Sequence, residues 1–586
     1  MYFPTLNSRP RSAQSIDVFA GYNHNVRIQE NEFFDMKNLT SDYSPVLAPR
    51  KTRGLYETGT SVQGMIAKDS LCYIDGRYFV INKYRIDMGL STDESMCPKQ
   101  LISMGAYVII MPDKKYINTA DLNDYGNIEA EFNTGDKSVN YLPCKLDGTE
   151  YTPKYIQPEA PTEAENMDLW MDTSGNPHSL KQYSSAMDTW VGIETTYIKI
   201  KCSGIGKAFQ QYDGVTISGL KDVDMDQLRT LDGSAVIYGR EDDAIIVIGL
   251  LDTEHLTMGI PVTISRKMPA MDYIIENDNR LWGCRYGLNS DGEAVNELYS
   301  CALGDFRNWN RFLGISTDSY YVSLGSDGPF TGAVTHAGYP LFFKENCLHK
   351  VYGQIPANFQ VQTTVCRGVQ KGCDRSLAIV NEILYYKARH AVCAYDGSLP
   401  TEISGALGED RYENAVAAAH GNKYYISMSK TMTGERSLFV YDTAKGMWHR
   451  EDDIPARLFC SCRDELYCAL DDHRIIAMLG TGEQYEESVP WMFETGILGG
   501  SLPEKKYLVK LNIRLVLETG SSMNILAQYD SVGPWVNLGF ITGTDLRSFT
   551  IPVKPRRCDH LRLRIEGEGK GMVFSITKTY THGSDV

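Results

Sequence analysis

The sequence predicts an all-β protein: a β-propeller of about seven blades, with an inserted small β module and a C-terminal β-sandwich. Three observations predict it. A hairpin pattern returns four times between Val334 and Leu479, its first apolar runs opening at Leu341, Leu384, Tyr424 and Leu466, which lie 43, 40 and 42 residues apart. That interval suits one four-stranded propeller blade. Proline-punctuated acidic text interrupts the rhythm between about residues 120 and 199. After Leu479 the texture changes again, to short alternating strands with turns between them.

Composition sets the frame. The chain has 586 residues, too many for a single core, and its 42% apolar content supplies several. No window approaches the length of an apolar membrane span. The opening MYFPTLNSRPRSAQSIDVF lacks an apolar run after its charges, so a secretory route is not expected. The fourteen cysteines are scattered without a C-x-x-C pair, which points to reduced, buried thiols in a chain made in a cytoplasm. A net charge of −16 excludes proteins that grip nucleic acid by neutralising phosphates. An acidic wall along which DNA slides remains compatible with it.

Residues 1–60 read as an extended segment contributing to propeller and assembly contacts, because Pro4, Pro10, Pro45 and Pro49 oppose long helices. Arg50, Lys51 and Arg53 form the densest basic cluster, and two roles stand side by side: partner docking, or pairing with carboxylates of the same chain. The propeller is expected over 61–119 and 200–480. Its first hairpin marks are LCYIDGRYFVIN from Leu71 and YVIIMPDKKYINT from Tyr107, and further marks open at Val236 and Leu281. Eight marks reduce to about seven blades, since terminal segments commonly combine to close such a ring.

The inserted module is expected over 120–199. Its DLWMDTSGNPHSLKQYSSAMDTWVGI pairs short strands around Gly175-Asn176; Trp170 and Trp190 either pack on each other or present aromatics to a partner or glycan. A turn leading to tryptophan recurs at Trp309, at Asp442 with Trp448, and at Asp530 with Trp535. Asp closes such a turn through its side chain and the Trp lies on the neighbouring sheet. Kelch repeats and sialidase Asp-boxes use related turns, but the full S-x-D-x-G-x-x-W pattern is missing. The sandwich is expected over 490–586, where Leu561, Leu563 and Ile565 face one way and Arg562, Arg564 and Glu566 the other. Arg556 and Arg557 on it are further docking candidates.

Chemical motifs are missing from the sequence: no G-x-S-x-G elbow, H-E-x-x-H pair or P-loop occurs. Asp222, Asp224 and Asp226 imitate the start of a calcium loop but lack its Gly and distal Glu. The histidines, among them His255, His336, His349, His420, His449 and His473, are dispersed without ligand spacing. No catalytic residue, cofactor or metal is therefore expected.

The stretch 17–54 resembles the opening segment of virion proteins of tailed bacteriophages, through Phe19, Gly21, Asp35, Asn38, Leu39, Tyr43, Pro45, Leu47, Arg50, Arg53 and Gly54. The inserted module is similar to small hairpin modules of phage tail and fibre proteins. The sequences around Gln528–Trp535 and Pro555–His560 resemble a C-terminal domain of prophage-encoded structural proteins. Together they resemble the propeller-bearing nozzle and hub proteins of the portal-proximal tail or neck. The resemblance implies a homo-oligomeric ring, six subunits being expected, in a virion assembled in the bacterial host cytoplasm. It would contact portal or adaptor and other tail proteins and surround exiting DNA without binding it specifically. Two other classes stay open: a glycan-binding or glycan-cleaving propeller acting on host receptors, and a kelch-like intracellular interaction propeller.

Overall fold

A computed structural model describes residues 11–175, 178–223, 225–251, 256–289, 292–500, 505–554 and 556–582. Its propeller has seven blades around one axis. Blades 1 and 2 open with Val62–Ala67 and Gln100–Met104, and blades 3 to 6 with Tyr273–Asn277, Gly332–His336, Ala378–Val380 and Tyr412–His420. Blade 7 is built from Ala456–Cys462, Glu465–Leu470 and Arg474–Ala477 and is completed by Gly54–Thr58 from the other end of the chain. The first strand of each blade is innermost, and Ala456–Cys462 lies against Val62–Ala67, so the ring is closed.

The repeated hairpin marks are the second strands of the blades. Lys423–Lys430 is buried along almost its whole length, as is Leu71–Asp75, because adjoining blades cover both faces. This explains why these strands read as unbroken apolar runs. Fourth strands, such as Gln360–Val365, are largely exposed and carry little signal. Asn82 and Lys83, with φ of 48° and 68°, make the two-residue turn between the last two strands of blade 1.

Two expected boundaries shift. The insertion between blades 2 and 3 runs from about 130 to 266, not 120 to 199. Tyr125–Asn127 is still the fourth strand of blade 2. Tyr197–Lys201 pairs with Val139–Cys144 in one sheet, and Thr263–Arg266 pairs with Gly214–Ser218 and Ala130–Asn133 in another. These sheets share a core of Val139, Tyr141, Ile200, Val215, Ile217, Ile245 and Val247. The Val236 hairpin belongs there and is no blade; a sandwich hairpin and a blade hairpin have the same period-two pattern, which hides the difference. The Trp-bearing module is a separate sheet over 155–192, carried in a loop of this domain.

The C-terminal sandwich also draws on the N-terminal segment. Its eight-stranded sheet is built on Lys506–Tyr529, whose first half pairs with Gly571–His582 and second half with Leu561–Glu568. Arg11–Ile16 and Phe33–Lys37 form its two ends. Leu511, Ile513, Leu515 and Leu517 share one buried core with Met523, Ile525, Leu561, Leu563 and Ile565, so the two halves fold over each other. That core is continuous with those of blades 4 to 6, and Phe19, Tyr22 and Phe33 bridge them: Tyr22 meets Phe439 at 5.6 Å and Phe33 meets Phe493 at 4.7 Å.

Candidate functional site

The N-terminal segment places most of its signature residues at one joint between propeller and sandwich. Gly21 has φ of 85°, and a Cβ there would lie 2.5 Å from the Trp448 carbonyl oxygen, which accepts the Tyr22 N–H. Asp35 accepts from Arg450. Asn38 donates to the Pro490 carbonyl and accepts from the Arg50 Nε. Gly54 packs so tightly on Thr481 that a Cβ would lie 1.9 Å from its carbonyl oxygen. Tyr43 and Pro45, between Leu39–Thr40 and Ala48–Pro49, are the exposed members.

Of the two roles open to them, partner docking or pairing within the chain, Arg50 and Arg53 take the second here. They are 8% and 2% exposed. Arg50 makes two parallel bonds to the Glu486 carboxylate, at 2.7 and 2.8 Å. Arg53 donates to Glu451 at 2.8 Å and to both oxygens of Asp452. Burial alone would lower the Arg53 pKa, but the Asp452 and Glu451 carboxylates reverse this and hold it up. Burial pushes Glu486 upward, and the Arg50 hydrogen bond outweighs it, leaving that carboxyl below its ordinary value. The physical reason is that a desolvated guanidinium needs an anion beside it, and the acidic chain supplies three. Lys51, between them, is exposed, as are Arg556 and Arg557; Arg556 lies over the Tyr529 ring.

The tryptophan turns divide in two. Asp442 accepts the N–H groups of Ala444 and Lys445, and the buried Trp448 donates its indole N–H to the Ile403 carbonyl, fastening blade 6 to blade 5. Trp309 donates to Phe306 in the core shared by blades 2 and 3. Asp530 and Trp535 instead sit at the surface: Asp530 accepts from the Asp559 and His560 N–H groups, and the Arg564 guanidinium covers the Trp535 ring. Trp170 and Trp190 pack on each other at 5.4 Å. Asp224 and His255 lie outside the described residues. Among the described residues no three His, Cys, Asp or Glu side chains cluster to hold a metal, and no helix is long and apolar enough to cross a membrane. All fourteen cysteines are free thiols, twelve of them buried.

Sequence reasoning missed the propeller axis. A cavity of about 270 Å³ there is lined by the innermost strands, including Met65, Leu101, Tyr273, Ala333, Ala417, Leu458 and Phe459, and by Asp374 and Arg375 just before blade 5. Arg375 donates to the Pro98 carbonyl at 2.8 Å. Burial raises the Asp374 pKa and lowers that of Arg375; each residue's opposite charge partly offsets the shift of the other, and nearby Arg457 adds to the lowering of Arg375. Burial also raises Tyr273, with the Asp374 carboxylate as the next cause. Lys99 lines the same cavity, but its charge is taken by Asp113. Among the described lining residues Asp374 is the single carboxylate, so the two acids of a glycosidase do not converge here. A second hollow, of about 500 Å³, lies between blades 3 and 4 and exposes Phe312, Ile315, Tyr321 and Ile355. No motif marks either place: GCDRS and PKQL around the axial residues look like ordinary loop text.

No family model and no curated protein matches the chain. Among solved structures, an acylaminoacyl peptidase in complex with Z-Gly-Gly-Phe-chloromethyl ketone is 12% identical over 50% of this chain, with a TM-score of 0.24; the match spans 46% of the peptidase. An exo-β-1,3-galactanase from Phanerochaete chrysosporium, with galactose, is 10% identical over 52% of this chain and 94% of its own, at a TM-score of 0.21. An engineered GH43 glycoside hydrolase with endo-xylanase and exo-arabinofuranosidase activity is 9% identical over 53% and 96%, at 0.19. Similarity at this level carries no argument about function.

Proposed function

We propose that this protein is a non-enzymatic structural subunit of a tailed-phage virion, forming a homo-oligomeric ring in the portal-proximal tail or neck. The observation that carries the reading is the use made of the phage-like N-terminal signature. Phe19, Gly21, Asp35, Asn38, Leu39 and Leu47 sit at the joint that locks propeller to sandwich, and Arg50, Arg53 and Gly54 hold the linker that leads from one to the other. A resemblance in those residues is therefore a resemblance in how two domains are fastened. The strand Val536–Ile551 adds support: it pairs on one side with Lys506–Tyr529, and Val536, Phe540 and Leu546 along it are exposed. A long open edge of this kind is suited to contact with another chain.

On this reading DNA passes through the ring of subunits and not through the propeller, whose axis carries a small cavity lined by side chains of its inner strands. Docking falls to Lys51, Arg556 and Arg557. Light scattering and negative-stain imaging of the purified protein, alone and with a portal–adaptor ring, test the reading: rings with a central hole are expected. A stable monomer that cleaves or retains polysaccharide would overturn it. The exposed Phe312 and Tyr321 in the hollow between blades 3 and 4 favour a second reading, a receptor-glycan binder. Loss of polysaccharide retention in Phe312→Ala and Tyr321→Ala variants would support it.

A further inference from the structure

Asp374 and Arg375 present an unusual pairing of neighbours. They are consecutive in a single turn at the end of the axial cavity, yet among the described residues neither forms a salt bridge with the other or with any other side chain. Arg375 spends one Nη2–H on the Pro98 carbonyl, and its remaining donors are left for the cavity. The Tyr273 phenol lies close enough to feel both charges. The other two polar side chains in the lining are already engaged. Lys99 is bound by Asp113, and Gln100 bridges blades 2 and 3 through the Asp272 carbonyl and the Ile274 N–H. The rest of the wall is apolar, with Leu101, Leu458 and Phe459 prominent.

The half-buried carboxylate and guanidinium offset each other's charge only from a distance, and among the described residues no ion pair takes up either one. A neutral polyol would hydrogen-bond to them without neutralising either. A simple carboxylate would satisfy Arg375 and repel Asp374, and a simple amine would do the reverse. A molecule carrying both charges matches both groups at once, because guanidinium takes carboxylate in parallel hydrogen bonds and carboxylate takes ammonium. We propose that the propeller axis is a binding site for a small zwitterion of the free α-amino acid class, with its carboxylate on Arg375, its ammonium on Asp374 and an aliphatic side chain against Leu101, Leu458 and Phe459. The site is independent of the assembly role, since it faces the axis of one chain.

The test uses the full chain with L-leucine, isovalerate, isopentylamine and galactose as probes, measured by titration calorimetry and by thermal shift. L-Leucine is expected to bind and to raise the melting temperature, with isovalerate and isopentylamine each at least about tenfold weaker. Asp374→Asn and Arg375→Met are each expected to lower leucine affinity about ten- to a hundredfold, and Lys51→Ala to leave it unchanged. Asp374→Asn keeps the side-chain shape and removes a desolvated charge, so it remains informative if Arg375→Met fails to fold. The proposal is overturned if no free amino acid binds, if galactose binds as tightly as leucine, if isovalerate or isopentylamine matches leucine, or if Asp374→Asn binds leucine as the parent does.

Discussion

Replacing Arg53 by methionine probes the joint most directly. The side chain is 1% exposed and donates to Glu451 and Asp452, which are 9% and 16% exposed. Removing it leaves those two carboxylates with Arg50 as the remaining cation beside them. Breaking a buried ion pair from one side costs about 3–5 kcal/mol. Arg53 immediately precedes Gly54–Thr58, the strand that completes blade 7, so the cost should fall first on the opening of that strand. At about 1.4 kcal/mol per tenfold, amide hydrogen exchange in Gly54–Thr58 and Arg474–Ala477 should accelerate about a hundredfold to a few thousandfold. Blade 3 should exchange as before. Adding Glu451→Gln and Asp452→Asn to Arg53→Met should recover part of the loss, because the stranded charges go with the cation. Exchange in Gly54–Thr58 within about threefold of the parent would refute the claim that this network holds the ring shut.

Other outcomes follow from the same geometry. Asp374 is raised by burial, so its contribution to stability is most favourable below the ordinary carboxyl range and is lost as pH rises through the folded pKa. Asp374→Asn should therefore melt higher than the parent at neutral pH, with the gap closing below about pH 4; Arg375, Tyr273, Arg457 and the Lys99–Asp113 pair are the groups around it. Trp448→Ala should cost about 3–5 kcal/mol by denaturant titration, whereas Trp448→Phe, which loses the bond to the Ile403 carbonyl, should cost about 1–3 kcal/mol. Joining Ile128 to Met268 through a short linker should leave the propeller's melting transition in place. Ala130 pairs with Arg266 and Arg266 donates to the Ile128 carbonyl, so the two ends of the insertion already run side by side. Loss of the transition would mean that the inserted domain helps hold the ring.

The propeller was legible because its second strands are covered on both faces and so read as apolar runs at blade spacing. Leu71, Leu341, Leu384, Tyr424 and Leu466 all fall on such strands. The Val236 hairpin misled because the inserted sandwich uses the same alternation, and only its partners, 197–201 and 214–218, distinguish it. Leu561, Leu563 and Ile565 are buried as their alternation required. The strands Arg11–Ile16 and Phe33–Lys37 could not be assigned to the sandwich, because their partners lie more than 450 residues away. Separations of 398 to 436 residues likewise hid the fate of Arg50 and Arg53, whose carboxylates sit at 451, 452 and 486. Asp374 and Arg375 acquire meaning only when seven blades bring their inner strands around one axis.

The pairing of both chain ends has a consequence for biogenesis. Arg11–Ile16 needs Ile576 to Thr581, and Gly54–Thr58 needs Arg474–Ala477, so neither early strand can dock until partners hundreds of residues further on have been made. At about 5–20 residues per second, the first of them waits roughly half a minute to two minutes with an unpaired edge exposed. The ring can thus close as soon as Arg474–Ala477 is made, and the sandwich only after Ile576 to Thr581 follows. A variant truncated before residue 571 should leave the first strand without its partner and should accumulate in aggregates, or bound to chaperones, when expressed.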